Sequence, residues 1–555
     1  MDAGEAHWRS SVLPCVKPRM RLASEIARYS RMSVEMLKLA RTPAIADYAE
    51  NIRRNFENRE SNFLAVVRDS VYAYSSNPYR HMLQLARCEY GDLEREVRRK
   101  GLESTLTALL DGGVYLTQDE AKGKTPIVRG GELIPSNERS FLNPAATGLQ
   151  AQSSGSSGRP TRISQSVNAQ LHWERYIALM ADDLELHGRS LVAMLPILPS
   201  LTGLILTARG RWIGWHAERW YSVGTVLDSG HYRAATNVMV LASRLGGSRA
   251  PFPRYLPTGD FRGVAEFIAR RKAEGVQCYI GGFLSPAVRV AWVAMERGLD
   301  IAGTIFSVGG EALTPAKRAI MESVGGRVYP FYATIDVGPV GYSCNRMNEG
   351  NCVHFFEDSL AAITRARLAP LSQTRVNSLL FTTLGSYSPR VVINAELDDS
   401  GVIEPARCDC VYSRLGLTRQ IRDIASFGKV TGQGITLAGT DVVRILEEAL
   451  PRRLGGGPGD YQIVERDDTN QTVLVLRVSP RTGVSDVARV RDCFLDELTR
   501  NEGGSLAARI FRHAEAVRVL IAEPLTTQTG KVLPLHLLGS EESRMRSHEA
   551  TMSRT

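Results

Sequence analysis

The sequence contains no apolar run of the ~18 residues that a membrane-spanning helix requires. Its richest window, Leu191–Leu206, is interrupted by Pro196, Pro199, Ser200 and Thr202. Cysteine is sparse as well, with 8 among 555 residues and no dense spacing, which excludes a disulfide-built scaffold and leaves free thiols or metal ligands. Aromatic residues amount to 7%, yet 43% hydrophobic and 23% charged residues are ordinary globular composition, so disorder as the main state is excluded. No sign of charge dominates locally: 68 Lys and Arg face 59 Asp and Glu, a formal net charge of +9, and the basic residues are scattered. The longest basic cluster, Arg95–Lys100, lies on a helical pattern and reads as a solvated face. Neither a nucleic-acid nor a membrane partner is expected. Met1–Arg9 carries Asp2, Glu5, His7 and Arg9 with no apolar stretch behind them, unlike a secretory leader, and a cytoplasmic location is the expectation.

What is present is a change of pattern along the chain. From about Arg21 to Leu110, apolar residues recur at helical spacing, broken by Ser75–Pro78 and Gly91. Farther on, strand-like runs (Leu191–Leu198, Val238–Leu241, Thr304–Val308, Val328–Tyr332) alternate with helical stretches (Phe261–Ala273, Ala287–Arg297, Pro315–Val324), the order of an α/β domain. A second unit begins near Gly428. In it Asp441–Leu450 and Ser485–Leu498 read as helices, and Tyr461–Glu465, Thr472–Val478 and Val517–Ala522 as strands. The fold class expected is therefore α/β. A large N-terminal domain combines a helical lead-in (1–110) with a core of mostly parallel sheets (111–427), and a small C-terminal α+β domain (428–538) follows. Residues 539–555 are polar and aperiodic and read as a disordered tail.

The most specific local feature is Gln152–Arg162, QSSGSSGRPTR. Ser153, Ser154, Gly155, Ser156, Ser157 and Gly158 offer small side chains, close backbone N–H approach and four hydroxyls, the properties of a phosphate cradle. A flexible Gly/Ser linker has the same composition. No Lys-Ser/Thr pair follows the second glycine, so this is not a Walker loop. Cys344, Cys352, His354, Cys408 and Cys410 form a second constellation, in which three thiolates and one imidazole could close a tetrahedral Zn²⁺ site. Cys344, His354, Cys408 and Cys410 are the ligand set chosen, with Cys352 in reserve; free thiols and a core histidine are the alternative. His172 and Trp173, with Trp212, Trp215, His216 and Trp220, supply aromatic surface of the kind that lines either an acid pocket or a plain core.

Further segments follow the serine-rich loop in a fixed order: FSVGGEAL (Phe306–Leu313), YATID (Tyr332–Asp336) continuing into Gly338 and Pro339, VVINAELDDSG (Val391–Gly401) and QTGKVLPL (Gln528–Leu535). Together, over about Leu83 to Leu538, they resemble the adenylate-forming acyl- and aryl-CoA synthetase superfamily in its phenylacetate-CoA ligase branch. The resemblance implies an AMP-binding core, a mobile C-terminal domain, and an ATP- and Mg²⁺-dependent ligase. Such an enzyme converts a small carboxylic acid to its acyl adenylate and then passes the acyl group to a thiol, coenzyme A foremost. A carrier protein, an amine or a protein thiol is the alternative acceptor, and a non-catalytic nucleotide-binding scaffold is the alternative of another class. By the same resemblance, Lys531 is the catalytic lysine, Asp336 the Mg²⁺ ligand, and Gly309, Gly310, Glu311 and Tyr332 border the nucleotide. Asp399, preferred to Asp398 for its Asp-x-Gly setting, takes the ribose, and the zinc is structural. Ala333 and Ile335 depart from the family's glycine and hydroxyl residue, Asp336 is one methylene shorter than the usual glutamate, and Ile424–Gly434 matches the hinge motif poorly. A homodimer stays open.

Overall fold

The computed structural model describes residues 18–152, 162–223, 230–257, 260–347, 350–368, 375–426, 430–432, 435–437, 439–468, 471–500, 508, 511–512, 517–527 and 530–537. The serine-rich loop and the tail read as disordered lie outside the described residues. Among the described residues, no helix is long and apolar enough to cross a membrane.

A twelve-stranded mixed sheet is the centre of the molecule. Its strands in chain order are β1 (Ser190–Met194), β2 (Ala217–Ser222), β3 (Pro253–Tyr255), β4 (Cys278–Phe283), β5 (Ile305–Gly309), β6 (Arg327–Thr334), β7 (Gly338–Tyr342), β8 (Cys352–Phe355), β9 (Leu360–Leu368), β10 (Arg375–Thr383), β11 (Ala395–Pro405) and β12 (Arg419–Ser426). In space they run β3-β2-β1-β4-β5-β6 and then β7-β8-β12-β11-β10-β9. The first group is wholly parallel, whereas every pairing from β6–β7 onward is antiparallel. The expectation of mostly parallel sheets is thus corrected: helical crossovers serve the parallel half, and the rest is antiparallel, with β8 pairing the distant β12. A further correction concerns Val238–Leu241, which lies inside the helix Gly230–Leu245. Four apolar residues in a row satisfy either period, and here Val238 and Leu241 point outward while Met239 and Val240 are buried.

The parallel strands are buried on both faces, as such sheets require. Helices Arg262–Ala273, Leu284–Glu296 and Pro315–Ser323 pack on one side around Ile280, Phe306 and Val328. The helix Val167–Asp183 lies in the cluster on the other side, with Leu191, Ala193 and Ile305. The N-terminal helices join both regions. Pro18–Arg41 packs on Gly230–Leu245 and Tyr48–Glu57 on Val167–Asp183. Phe63, Leu83, Leu93 and Leu106 pack with Leu379, Phe381 and Ile421 of the antiparallel half. Local signals start these helices: Asn77 accepts from the Tyr79 amide just before Pro78, and Thr117 with Glu120 forms a capping box.

A separate four-stranded sheet carries the C-terminal region, with β13 (Tyr461–Asp468), β14 (Gln471–Val478), β15 (Val517–Ile521) and β16 (Leu535–Leu537) in the order β15-β14-β13-β16. Its own core combines Val442, Leu446, Leu476, Phe494 and Val517. It meets the large sheet's helices through a buried ion pair, Lys317 Nζ to Glu447 Oε1 at 2.7 Å, with side chains 4% and 2% exposed. The Thr314 hydroxyl donates to the other Glu447 oxygen at 2.6 Å. Trp292 fills the space beside Gly457, where a Cβ would lie 2.3 Å from the indole.

Breaking such a pair on one side strands the other charge. Lys317→Met is expected to cost ~3–5 kcal/mol, read from the denaturant midpoint, and Lys317→Met with Glu447→Leu is expected to recover most of it.

Candidate active site and a thiol-imidazole cluster

In open α/β sheets, ligands lie beyond the carboxyl ends of the strands where the chain reverses its direction of winding. Here the reversal falls between β1 and β4, since β2 and β3 are laid down on one side of β1 and β4, β5 and β6 on the other. The turn bearing Lys531 sits at this place. Gly530 packs on Val223, just past β2, and the Lys531 ammonium lies 4.3 Å from the ring centroid of Phe283, the last residue of β4. It donates to the Gly310 carbonyl, just past β5, at 3.1 Å. The two glycines make this approach possible. Gly530 and Gly310 have φ of +84° and +79°, and a Cβ would lie 2.5 Å from Val223 Cγ2 in one case and 2.9 Å from Lys531 Nζ in the other. The turn closes on itself as well: Thr527 donates its amide to the Lys531 carbonyl at 2.8 Å, and its hydroxyl accepts the Lys531 amide at 3.1 Å. Burial pushes the Lys531 pKa below its usual value, opposed by the carboxylates of Glu311 and Asp399.

Tyr332 and Asp399 form the adjacent pair, the phenol donating to Asp399 Oδ2 at 2.6 Å. Both stand at strand irregularities. The β6–β7 register shifts between Tyr332 and Ala333, and Asp399 lies where the β10–β11 ladder slips, next to Asp398 at φ +61°. Such bulges re-aim side chains. Burial raises the Asp399 carboxyl to about 6, with the Tyr332 hydrogen bond acting against the rise.

Asp336, in the turn after β6, is 3.1 Å from Arg390 Nη1. Arg390 is buried and also donates to the Glu138 carbonyl at 3.0 Å. Asp336 Oδ1 has no well-formed hydrogen bond, so a divalent cation could be held there in competition with the guanidinium. Lys122 lies within electrostatic reach of Asp336, Asp398 and Asp399. Sequence reasoning missed Arg390, Lys122, Phe283 and Ser285. No motif marks them, because their partners lie far away in the chain. Ser153–Gly158 fall outside the described residues, but the strands on either side, Leu149–Gln152 and Arg162–Gln165, pair as a hairpin with Gln152 opposite Arg162.

Glu311, which the motif associates with the nucleotide, is turned toward the start of the helix Leu284–Glu296. It accepts the Ser285 amide at 3.2 Å and the Ser285 hydroxyl. All the aromatic candidates except half-buried His216 are core: Trp173, Trp212, Trp215 and Trp220 are buried, and His172 lies between the phenols of Tyr176 at 3.1 Å and Tyr387 at 2.6 Å.

Cys344, His354, Cys408 and Cys410 bring their donor atoms within 4.8 Å of one another, and Cys352 is not among them. His354 Nε2 lies 3.1 Å from Cys408 Sγ and 3.0 Å from Cys410 Sγ, while Cys344 Sγ is 3.9 Å from Cys408 Sγ. His354 Nδ1 is 3.3 Å from the Leu417 carbonyl, and donation there leaves the Nε2 lone pair facing the sulfurs. Hydrogen bonding from Cys344 and then His354 holds the Cys410 thiol well below the usual range. Three soft sulfurs and one imidazole at this spacing fit a zinc ion.

No family model matches the sequence, and no curated protein matches it. Among solved structures, the chain is similar to O-succinylbenzoate coenzyme A synthetase from Bacillus subtilis in complex with ATP and magnesium ion, at 10% identity over 71% of this chain and 70% of that one, with a TM-score of 0.38. It is similar to acetoacetyl-CoA synthetase from Streptomyces lividans at 15% identity over 69% of this chain and 54% of that one, TM-score 0.40. Anthranilate CoA ligase in complex with anthranoyl-AMP matches at 10% identity over 92% of this chain and 98% of that one, TM-score 0.38.

The raised Asp399 pKa makes a stability prediction. An unfolded aspartate titrates near 3.9, so between about pH 4 and 6 the folded chain holds the extra proton, and its stability falls as pH rises through that window. Asn at this position accepts the Tyr332 hydrogen bond without the charge. Asp399→Asn is therefore expected to be more stable than the parent by ~1–3 kcal/mol at pH 7.5, with the gain vanishing near pH 4 in parallel denaturation curves.

Proposed function

We propose that the chain is an ATP- and Mg²⁺-dependent, adenylate-forming ligase that activates a small carboxylic acid and passes the acyl group to a thiol, coenzyme A foremost. The observation that carries this reading is the seat of Lys531. A lysine from the C-terminal region sits at the carboxyl ends of the parallel strands, on the Gly310 carbonyl and beside the Tyr332–Asp399 pair. A merely solvated lysine needs neither the positive-φ conformations of Gly310 and Gly530 nor the Phe283 ring beside its ammonium.

In this reading the acid's carboxylate oxygen attacks the α-phosphorus of ATP, and pyrophosphate leaves. Lys531 meets the charge spread over the phosphoryl oxygens. Asp399 accepts from the ribose hydroxyls and is fixed for that by the Tyr332 phenol. Asp336 would hold Mg²⁺, which supplies further neutralisation of the triphosphate, and Arg390 keeps its carboxylate oriented. Ser153–Gly158 would cradle the phosphates through backbone N–H groups. Gly309 admits the Phe331 ring and Gly310 admits the Lys531 ammonium where a Cβ would collide with each. The C-terminal region 428–538 acts as a small mobile domain that withdraws Lys531 and admits the thiol for the second step. Zn²⁺ bound by Cys344, His354, Cys408 and Cys410 would be structural, since four protein ligands leave no open position.

Pyrophosphate–ATP exchange across a panel of aromatic and aliphatic acids tests the assignment. At least one acid is expected to support exchange; ATP binding without exchange for any acid would instead favour a nucleotide-binding scaffold. Lys531→Ala should lower exchange by ~10³-fold or more while thiolysis of a supplied acyl adenylate continues, and equal loss of both halves contradicts the role given to the lysine. Elemental analysis of the purified chain should find ~1 zinc per molecule, falling with Cys410→Ser. A clean zero removes the zinc.

A further inference from the structure

Two neighbouring residues of the C-terminal turn engage two neighbouring residues of the segment after β5. Lys531 reaches the Gly310 carbonyl directly, at 3.1 Å. Val532 reaches Glu311 through an intermediary: its amide donates to the Ser285 hydroxyl oxygen at 3.3 Å, and that hydroxyl donates its single proton to Glu311 Oε2. The Ser285 amide, one of the unpaired donors at the start of a thirteen-residue helix, completes the arrangement on Glu311 Oε1 at 3.2 Å. The Val532 carbonyl oxygen also lies 3.3 Å from the Ser285 hydroxyl, but the single proton goes to the nearer carboxylate, which leaves lone pairs for the Val532 N–H. Ser285 and Val532 are both buried, so water does not replace the contact if the oxygen is removed.

We propose that Ser285 and Glu311 form a clasp that seats the Lys531 turn, which makes both positioning residues for the lysine and gives Glu311 a role in docking the C-terminal region rather than in holding the nucleotide. The Glu311 carboxylate takes both Ser285 donors at the helix start and lies within electrostatic reach of the Lys531 ammonium. One carboxylate therefore serves the helix start, the serine and the lysine together. The catalytic consequence rests on the proposed role of Lys531 in adenylation; the docking consequence does not.

The test uses the full-length chain and Ser285→Ala, a change that removes one oxygen. Amide hydrogen exchange in 525–535 is expected to accelerate by about tenfold or more, with the core of the small sheet unchanged. In pyrophosphate–ATP exchange, kcat should fall by about tenfold while the KM for ATP stays within about twofold. Ser285→Thr, which keeps the hydroxyl, should restore both. Glu311→Gln should act in the same direction, and the double variant should be little worse than the poorer single one, as for two parts of one unit. Unchanged amide exchange in Ser285→Ala overturns the clasp, and so does a higher KM for ATP at constant kcat, which would return Glu311 to the nucleotide. If the parent chain activates no acid yet its 525–535 segment is released by Ser285→Ala, the ligase reading falls and the clasp stands.

Discussion

The seat of one ammonium group organises the molecule. Lys531 has to give up much of its water to lie on Gly310 against the Phe283 ring, and the chain offsets that loss with a carbonyl, an aromatic face and the fields of Glu311 and Asp399. The compensating groups come from three parts of the fold: Phe283 ends β4, Gly310 and Glu311 follow β5, and Asp399 lies in β11. Only a sheet that brings these strand ends together provides the site. The backbone obeys the same constraint, because both the shelf and the turn use left-handed glycines where a side chain would collide.

Docking of the small sheet follows from this. A lysine delivered from another structural unit is positioned only as well as that unit is docked, and the interface is correspondingly polar and specific. Lys317–Glu447 is buried and paired, with Thr314 on the remaining oxygen. Arg289 reaches Asp460 at 3.4 Å, and Arg481 lies over the Trp292 ring while approaching Asp460 at 3.3 Å. Charged pairs contribute less net stability than apolar packing of equal volume but impose a geometry, and they part without exposing a large apolar surface. That balance makes geometry, more than apolar area, the feature these contacts impose on the docked unit.

The sequence disclosed the parallel strands β1, β5 and β6 and the helices Arg262–Ala273, Leu284–Glu296 and Pro315–Ser323, because each is consistent with one period, whereas β4, with Gly281 and Gly282 inside it, was not read as a strand. The strand and helix pattern of the C-terminal region was legible for the same reason. The four thiol and imidazole residues could be chosen from five candidates by their pairing in the chain, and they are the four that meet. Val238–Leu241 misled because a run of four apolar residues carries no period of its own. The antiparallel half was not anticipated: its strands pair partners such as Cys352 and Arg422, and no local signal states that direction. Arg390, Lys122 and Ser285 were invisible for a related reason. Their importance lies in what faces them across the fold, and the aspartate at 336 gave no hint of the guanidinium beside it.

The Tyr332–Asp399 pair explains why the antiparallel half is irregular where it borders the site. In a regular ladder, side chains alternate strictly, and a tyrosine at the end of β6 has no reason to meet an aspartate in β11 across the intervening strands. The chain solves this with register shifts at both residues, helped by left-handed Asp398 and Asp423. Each shift sacrifices ladder hydrogen bonds, and those beside Asp398 and Asp423 also strain an L-residue. The loops after β7 and β11, which carry Cys344, Cys408 and Cys410, are tied together through His354 on β8 by the thiol-imidazole cluster. These contacts gather the loops that follow β7 and β11 onto β8, beyond the strand ends where the ladders stop, so the irregular strands are held by side chains at one end and by the Tyr332–Asp399 bond at the other.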